Sequence, residues 1–214
     1  MDFGRLITAM VTPFDNTGEI NWEETSRLVD YLIEDQKTEA LVVCGTTGES
    51  PTLTDDEKLE LFSFVVKKVQ GRCKVIAGTG TNSTKHSIQL TKKAEALGVD
   101  GALLVVPYYN KPNQEGLYQH FAGIAAETNL PLILYNVPSR TSVCMSVATT
   151  IRLSQIPNIV AIKECVSVDQ VTLIAAACPS DFHVYSGDDA SALPTLAVGG
   201  HGIISVASHI VGAQ

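Results

Sequence analysis

The chain has 214 residues, 45% of them hydrophobic and 18% charged, so it can bury a sizeable core and does not have a disordered composition. Its formal net charge of −8 argues against non-specific binding to nucleic acid or anionic membranes, and leaves room for a locally basic site that takes an anionic substrate. No apolar run approaches the roughly 20 residues of a membrane span, and Met1-Asp2-Phe3-Gly4-Arg5 lacks the charged start and apolar core of a signal peptide, which points to a cytoplasmic protein.

Apolar, β-branched-rich runs recur at Leu6–Val11, Ala40–Cys44, Val75–Gly78, Ala102–Val106, Leu132–Tyr135, Ile159–Lys163, His183–Ser186 and Gly202–Val206. They do not alternate polar with apolar, so they read as strands buried on both faces, as parallel strands are. Helical patterns lie between them. The first follows Asn21, with Glu24 in capping-box position and Leu28, Val29, Leu32 and Ile33 on one face. The second starts at Thr54, with Glu57 completing another capping box, and stops at Gly71. A third runs from Thr84 to Leu97 before Gly98, and a fourth from Gln114 to Glu127. The fifth follows Ser146 and ends before Pro157, the sixth follows Ser167 and ends before Pro179, and the seventh covers about Ala190 to Val198. Eight strands separated by seven helices predict a (β/α)8 barrel spanning residues 1–214. The alternative is a doubly wound open sheet. That fold usually carries a glycine-rich turn after its first strand, where Thr12-Pro13-Phe14 stands here. About eight residues follow the last strand, so the eighth helix and any C-terminal helical region are expected to be missing, leaving exposed apolar surface prone to association.

The five cysteines, Cys44, Cys73, Cys144, Cys165 and Cys178, include no C-x-x-C pair and read as small buried hydrophobes in a reducing compartment. The five histidines form no metal-ligand spacing. His201 precedes the eighth strand, opposite the end where barrel sites lie, and reads as structural. Asp188-Asp189 reads as a helix start.

Barrel sites form at the C-terminal ends of the strands. The sixth strand ends on Lys163. A lysine at the tip of an apolar strand is costly to bury, and desolvation lowers its pKa, which frees an amine that can form a Schiff base with a ketone; the plain alternative is a lysine that snorkels to solvent. Tyr135 leaves the neighbouring fifth strand. Its phenol suits proton transfer or a hydroxyl satisfied at the edge of the core. Gly45-Thr46-Thr47-Gly48 offers N–H groups and hydroxyls suited to a carboxylate, or a simple turn and cap. Arg140 suits a bidentate carboxylate or a surface ion pair.

Gly45-Thr46-Thr47-Gly48-Glu49, Tyr135-Asn136-Val137-Pro138-Ser139-Arg140-Thr141 and Ile162-Lys163-Glu164 together resemble the dihydrodipicolinate synthases, pyruvate-dependent class I aldolases of the N-acetylneuraminate lyase superfamily. The resemblance runs from Arg5 to the end of the chain and includes Thr12-Pro13-Phe14, Pro107-Tyr108-Tyr109-Asn110-Lys111-Pro112, Ser186-Gly187-Asp188-Asp189 and Gly199-Gly200-His201-Gly202. It implies a lyase of lysine and diaminopimelate biosynthesis that condenses pyruvate with L-aspartate 4-semialdehyde without metal or organic cofactor, as a homodimer or homotetramer. It further implies that Lys163 forms the Schiff base. Tyr135, Thr46 and a neighbouring subunit's copy of Tyr109 would relay protons. Thr46 and Thr47 would hold pyruvate's carboxylate and Arg140 the semialdehyde's, with backbone at Gly187 and Ile204 lining the site. Some relatives are inhibited by lysine at positions matching Ser50, Asp55, Lys58, Gly80, Asn82, His86 and Tyr108. Here Asp55 and Lys58 stand where the resemblance expects histidines and His86 where it expects an acid, so lysine inhibition is expected to be weak or absent. The competing readings are a Schiff-base lyase acting on a sugar acid, against which Arg140 argues, a metal-dependent aldolase, for which no ligand cluster is evident, and a catalytically inactive truncated barrel.

Overall fold

Six helices start at a side-chain cap. Asn21, Thr54, Ser83, Asn113, Ser146 and Ser167 each accept a hydrogen bond from the backbone N–H three residues on, satisfying one of the donors that a helix start leaves open. The computed structural model describes residues 1–214 and runs β1 (Leu6–Ala9), α1 (Trp22–Glu34), β2 (Ala40–Val43), α2 (Asp55–Val69), β3 (Lys74–Gly78), α3 (Thr84–Ala96), β4 (Gly101–Val105), α4 (Gln114–Ala125), β5 (Leu132–Asn136), α5 (Pro138–Thr141), α6 (Val147–Leu153), β6 (Ile159–Glu164), α7 (Val168–Ala177), β7 (His183–Ser186), α8 (Ala192–Ala197), β8 (Gly202–Ser205) and α9 (Ser208–Val211). The eight parallel strands close in sequence order, with β1 pairing β8 through Thr8 opposite Ser205. This is the (β/α)8 barrel, and the doubly wound alternative falls. No helix is long and apolar enough to cross a membrane.

The differences from the sequence pattern are small. Single turns escape a periodicity argument: α5, α9 and two 3-10 turns at Ser50–Thr52 and Asp189–Ser191 were not expected. The single-turn α9 follows β8 where no helix was expected, and Ser208 Oγ lies 2.9 Å from Thr8 Oγ1 of β1. The capping box at Thr54 and Glu57 is complete. The one at Asn21 is half made, because Pro13's carbonyl takes the Asn21 N–H and Arg27 takes the Glu24 carboxylate.

The core has two layers. Side chains such as Leu41, Val75, Leu104, Leu134 and Ile162 pack between the strands and the helices. Ile7, Val42, Ile76, Leu103, Ile133, Ala161 and Ile204 fill the barrel itself. Phe3 and Tyr185 belong to that inner layer, and Tyr185 Oη donates to the Gly4 carbonyl at 3.0 Å, which ties the N-terminal segment across the barrel. At the same end His201 Nε2 lies 3.0 Å from Asp2 Oδ1, and its ring stacks on His183 with centroids 3.7 Å apart and planes 3° from parallel. Histidine spacing hid this trio. One side-chain nitrogen or oxygen from each of the three lies within 4.8 Å of the others, and the group is joined by the stacked rings and the hydrogen-bond contact to Asp2. All five cysteines are free, but Cys144 is exposed and Cys165 and Cys178 half-buried, so only Cys44 and Cys73 match the buried reading.

Candidate active site

Strand register builds the centre of the site. Tyr135 of β5 pairs with Lys163 of β6, which pairs with Tyr185 of β7; the next rung is Asn136, Glu164 and Ser186. Ile133, Tyr135, Ala161 and Tyr185 face the barrel interior, so side-chain alternation turns Lys163 inward and Glu164 toward the helices.

Lys163 is 5% exposed. Burial, the largest influence, lowers its pKa to about 8. Its Nζ lies 4.6 Å from the centre of the Tyr135 ring. Burial pushes the Tyr135 phenol up to about 12, against the pull of the nearby Thr46 hydroxyl, so it is a neutral donor at physiological pH. The snorkelling alternative for Lys163 is excluded by this burial. Gly187 supplies the room: a Cβ there would sit 2.8 Å from Lys163 Cε and 2.9 Å from Cγ. Ile204 lies in the same inner layer as Tyr135.

Behind Lys163 stands a network that sequence reasoning missed. Glu164 is 3% exposed. Its carboxylate accepts from Asn136 Nδ2 at 3.1 and 3.2 Å, from Gln170 Nε2 at 3.1 Å, and from the Cys165 and Val166 N–H groups at 3.0 Å. Burial drives its pKa up to about 7 against the pull of those donors. Asn136 also donates to the Met145 carbonyl, so the carboxylate joins the tips of β5 and β6 to α7. Asp189 does more than begin a helical turn: its carboxylate accepts from Ser205 Oγ at 2.5 Å and from the Ala207 N–H at 3.0 Å, joining the ends of β7 and β8. Cys165 stands beside Lys163 and Tyr135, and burial pushes its thiol up to about 11. The Ile162-Lys163-Glu164-Cys165 string carries all three signals, but only an inward–outward alternation tied to register separates their tasks.

A cavity of about 270 Å³ opens at this end of the barrel. Thr46, Tyr135, Arg140 and Thr141 line it together with Ser50, Lys58, Gly80, Thr81 and Tyr108. Lys163, Thr47, Gly187 and Ile204 lie outside its lining, with Lys163 adjoining it through Tyr135. None of the sixteen lining residues is acidic, whereas Arg140 and Lys58 are cationic, so an acidic chain carries an anion-attracting pocket. The rim is strained. Cys44, Glu49, Tyr109 and Ser142 have φ of 54°, 57°, 70° and 57°, a region that L residues visit rarely and that clusters at functional sites. Tyr109 is 89% exposed and does not meet Tyr135 or Thr46 of its own chain in the cavity.

The structure divides the positions matched to lysine inhibition. Ser50, Lys58, Gly80 and Tyr108 face the cavity, while Asp55, Asn82 and His86 do not. Asp55 Oδ2 instead bonds His86 Nε2 at 2.7 Å, and the Asn82 carbonyl accepts from Asn110.

With this geometry in hand, the sequence matches the profile of the Dihydrodipicolinate synthetase family over residues 2–214. It is 60% identical over 216 aligned positions to the 4-hydroxy-tetrahydrodipicolinate synthase of Bacillus subtilis, covering 100% of this chain and 74% of that protein. The crystal structure of a dihydrodipicolinate synthase from Bacillus anthracis superposes with a TM-score of 0.97 at 58% identity, over 99% of this chain and 73% of that one. That of the Cyanidioschyzon merolae enzyme with lysine bound superposes with a TM-score of 0.96 at 50% identity, over 98% and 72%. The chain belongs to the dihydrodipicolinate synthetase family.

Proposed function

We propose that Lys163 is the Schiff-base lysine in a condensation of pyruvate with L-aspartate 4-semialdehyde that gives 4-hydroxy-tetrahydrodipicolinate. The observation that carries this reading is a nearly buried amine with a lowered pKa, held in register against a phenol at the mouth of an anion-attracting barrel.

The amine attacks the C2 carbonyl of pyruvate, and loss of water leaves an iminium that acts as an electron sink. A methyl proton then leaves C3 to give an enamine. C3 attacks the aldehyde carbon, and the resulting alkoxide takes up a proton. The product's amino group attacks C2 and displaces Lys163, which closes the ring and restores the free amine. Tyr135 and Thr46, which line the cavity together, carry protons to and from these centres. Thr46 and Thr47 hold the pyruvate carboxylate, and Arg140 holds that of the semialdehyde. Gly187 gives the lysine stem its room. Tyr109 completes the relay from a second copy of the chain in a homo-oligomer, a reading supported by its exposure and its strained backbone.

Incubation with pyruvate and borohydride, followed by peptide mass spectrometry, tests the assignment. The expected result is one reduced adduct, on Lys163. A folded protein that yields no adduct there removes Lys163 from the mechanism.

A further inference from the structure

The end of the barrel opposite the reactive rung gathers three side chains with metal-ligand chemistry. One oxygen of Asp2 and one nitrogen each of His183 and His201 lie within 4.8 Å of one another. His201 Nε2 and Asp2 Oδ1 already stand 3.0 Å apart, close to the roughly 3.3 Å between neighbouring ligand atoms of a tetrahedral zinc site with bonds of about 2.0–2.1 Å.

A second observation is independent of that spacing. His183 Nδ1 is buried and has no hydrogen-bond partner, whereas buried polar atoms are nearly always paired. Burial, and after it the neighbouring His201, hold this imidazole below the ordinary histidine range. It is therefore neutral at physiological pH, and a neutral imidazole carries the lone pair that a metal takes. Asp2 is held as a carboxylate. Its Oδ1 accepts the Gly4 N–H at 2.8 Å, and that bond, with the contact to His201, lowers its pKa.

The rings stack 3° from parallel, so their lone pairs run side by side and do not converge. The second side-chain torsion of histidine is broad, and Asp2 is exposed near the start of the chain. A turn of one ring and a small shift of the carboxylate bring three ligand atoms onto one point. Two imidazoles and one carboxylate suit a zinc-class ion over Mg²⁺ or Ca²⁺, which take oxygen ligands. Water fills the fourth position. The ion takes the lone pair of His201 Nε2, so the proton at the contact with Asp2 leaves that nitrogen.

We infer that Asp2, His183 and His201 form a site for a divalent transition ion of the zinc class, which clips the start of the chain to β7 and β8. Asp2 and His201 are 199 residues apart, and a clip that closes a long loop removes the most freedom from the unfolded chain. The site's task is to hold the barrel closed; it takes no part in chemistry at Lys163 and stands apart from the Schiff-base reading.

Calorimetric titration of Zn²⁺ into the untagged chain, stripped with chelator, tests this. Expected is one site per chain, weakened at least tenfold in each of Asp2→Asn, His183→Gln and His201→Gln, and no binding of Mg²⁺ there. Zn²⁺ should also raise the melting temperature of the unaltered chain and not that of Asp2→Asn. Zn²⁺ binding of unchanged strength in any folded one of the three variants overturns the three-ligand site, because the ion then sits elsewhere, for example at the exposed Cys144. Absence of Zn²⁺ binding by the unaltered chain overturns it as well. If circular dichroism shows that a histidine variant is unfolded, Asp2→Asn, a change at an exposed side chain, decides the matter.

Discussion

The two ends of this barrel are built from the same strands and are held in opposite ways. At the N-terminal end most polar groups are matched within the chain: Tyr185 Oη has the Gly4 carbonyl, His201 has Asp2, and the Arg5 and Leu6 N–H groups have the Glu39 carboxylate, with the buried His183 Nδ1 the exception. At the C-terminal end the backbone visits left-handed φ at Cys44, Tyr109 and Ser142, an amine is buried at Lys163, and cations face a cavity without acids. One end spends its contacts on stability. The other holds unbalanced charge and backbone strain, which persist only where the surrounding structure over-determines them. For Lys163 the Glu164 network does this: it lies directly behind the reactive rung and fixes the tips of two strands.

The sharpest break in this contrast is Tyr135→Phe. The ring still packs against Lys163, but the phenol that shares the cavity with Thr46 is lost. Turnover is expected to fall by about 10²–10⁴-fold, the usual contribution of a positioned proton donor, with the melting temperature hardly changed. A fall of less than tenfold in kcat would take Tyr135 out of the relay. Glu164→Ala attacks the same end from behind. Its removal strands the Asn136 and Gln170 amide donors, at a cost of about 3 kcal/mol, or about 6–12 °C in melting temperature for a chain of this size. Borohydride trapping should slow in the folded variant, because Lys163 loses its anchor. Unchanged trapping would make Glu164 purely structural.

Sequence reasoning reached the strands, the helix caps and Lys163 because each is a local signal: an apolar run, a serine or asparagine before a helix, a charge where none belongs. It did not reach the tasks of Glu164 and Asp189. Asn136 and Glu164 are 28 residues apart, and Asp189 and Ser205 are 16 apart. Only barrel closure and register bring them together. The stacking of His183 on His201 and their link to Asp2 escaped for the same reason, since Asp2 and His201 are 199 residues apart. Asp188-Asp189 does start a helical turn, but propensity says nothing of a carboxylate that also serves the next strand's turn. Lys58 could be seen as a substituted position, but its burial and its orientation toward a cavity shared with Arg140 appear only in three dimensions.

The pH profile gives an intermediate effect. With Lys163 near 8, its amine is protonated and inert below that pH and free above it. The dependence of kcat/KM for pyruvate, which reports the free enzyme, should rise about tenfold per pH unit on the acid side and level off above about 8. A profile still rising steeply above pH 9 would mean that burial does not lower this lysine's pKa.

The smallest effect is expected at the matched end. Tyr185→Phe removes the hydrogen bond to the Gly4 carbonyl and keeps the ring that fills the barrel floor. The loss should cost about 1 kcal/mol, which corresponds to about 2–4 °C in melting temperature for 150–250 residues. The trapping rate at Lys163 should not change, even though Tyr185 and Lys163 are partners on the same rung. This pairing makes the test informative. If the two ends are independent, a substitution one strand from the reactive amine moves stability and leaves chemistry alone, because the Tyr185 hydroxyl is committed to the opposite end. If trapping slows together with the melting temperature, the matched end also sets the position of Lys163, and the division of the barrel into a stabilising end and a reacting end fails.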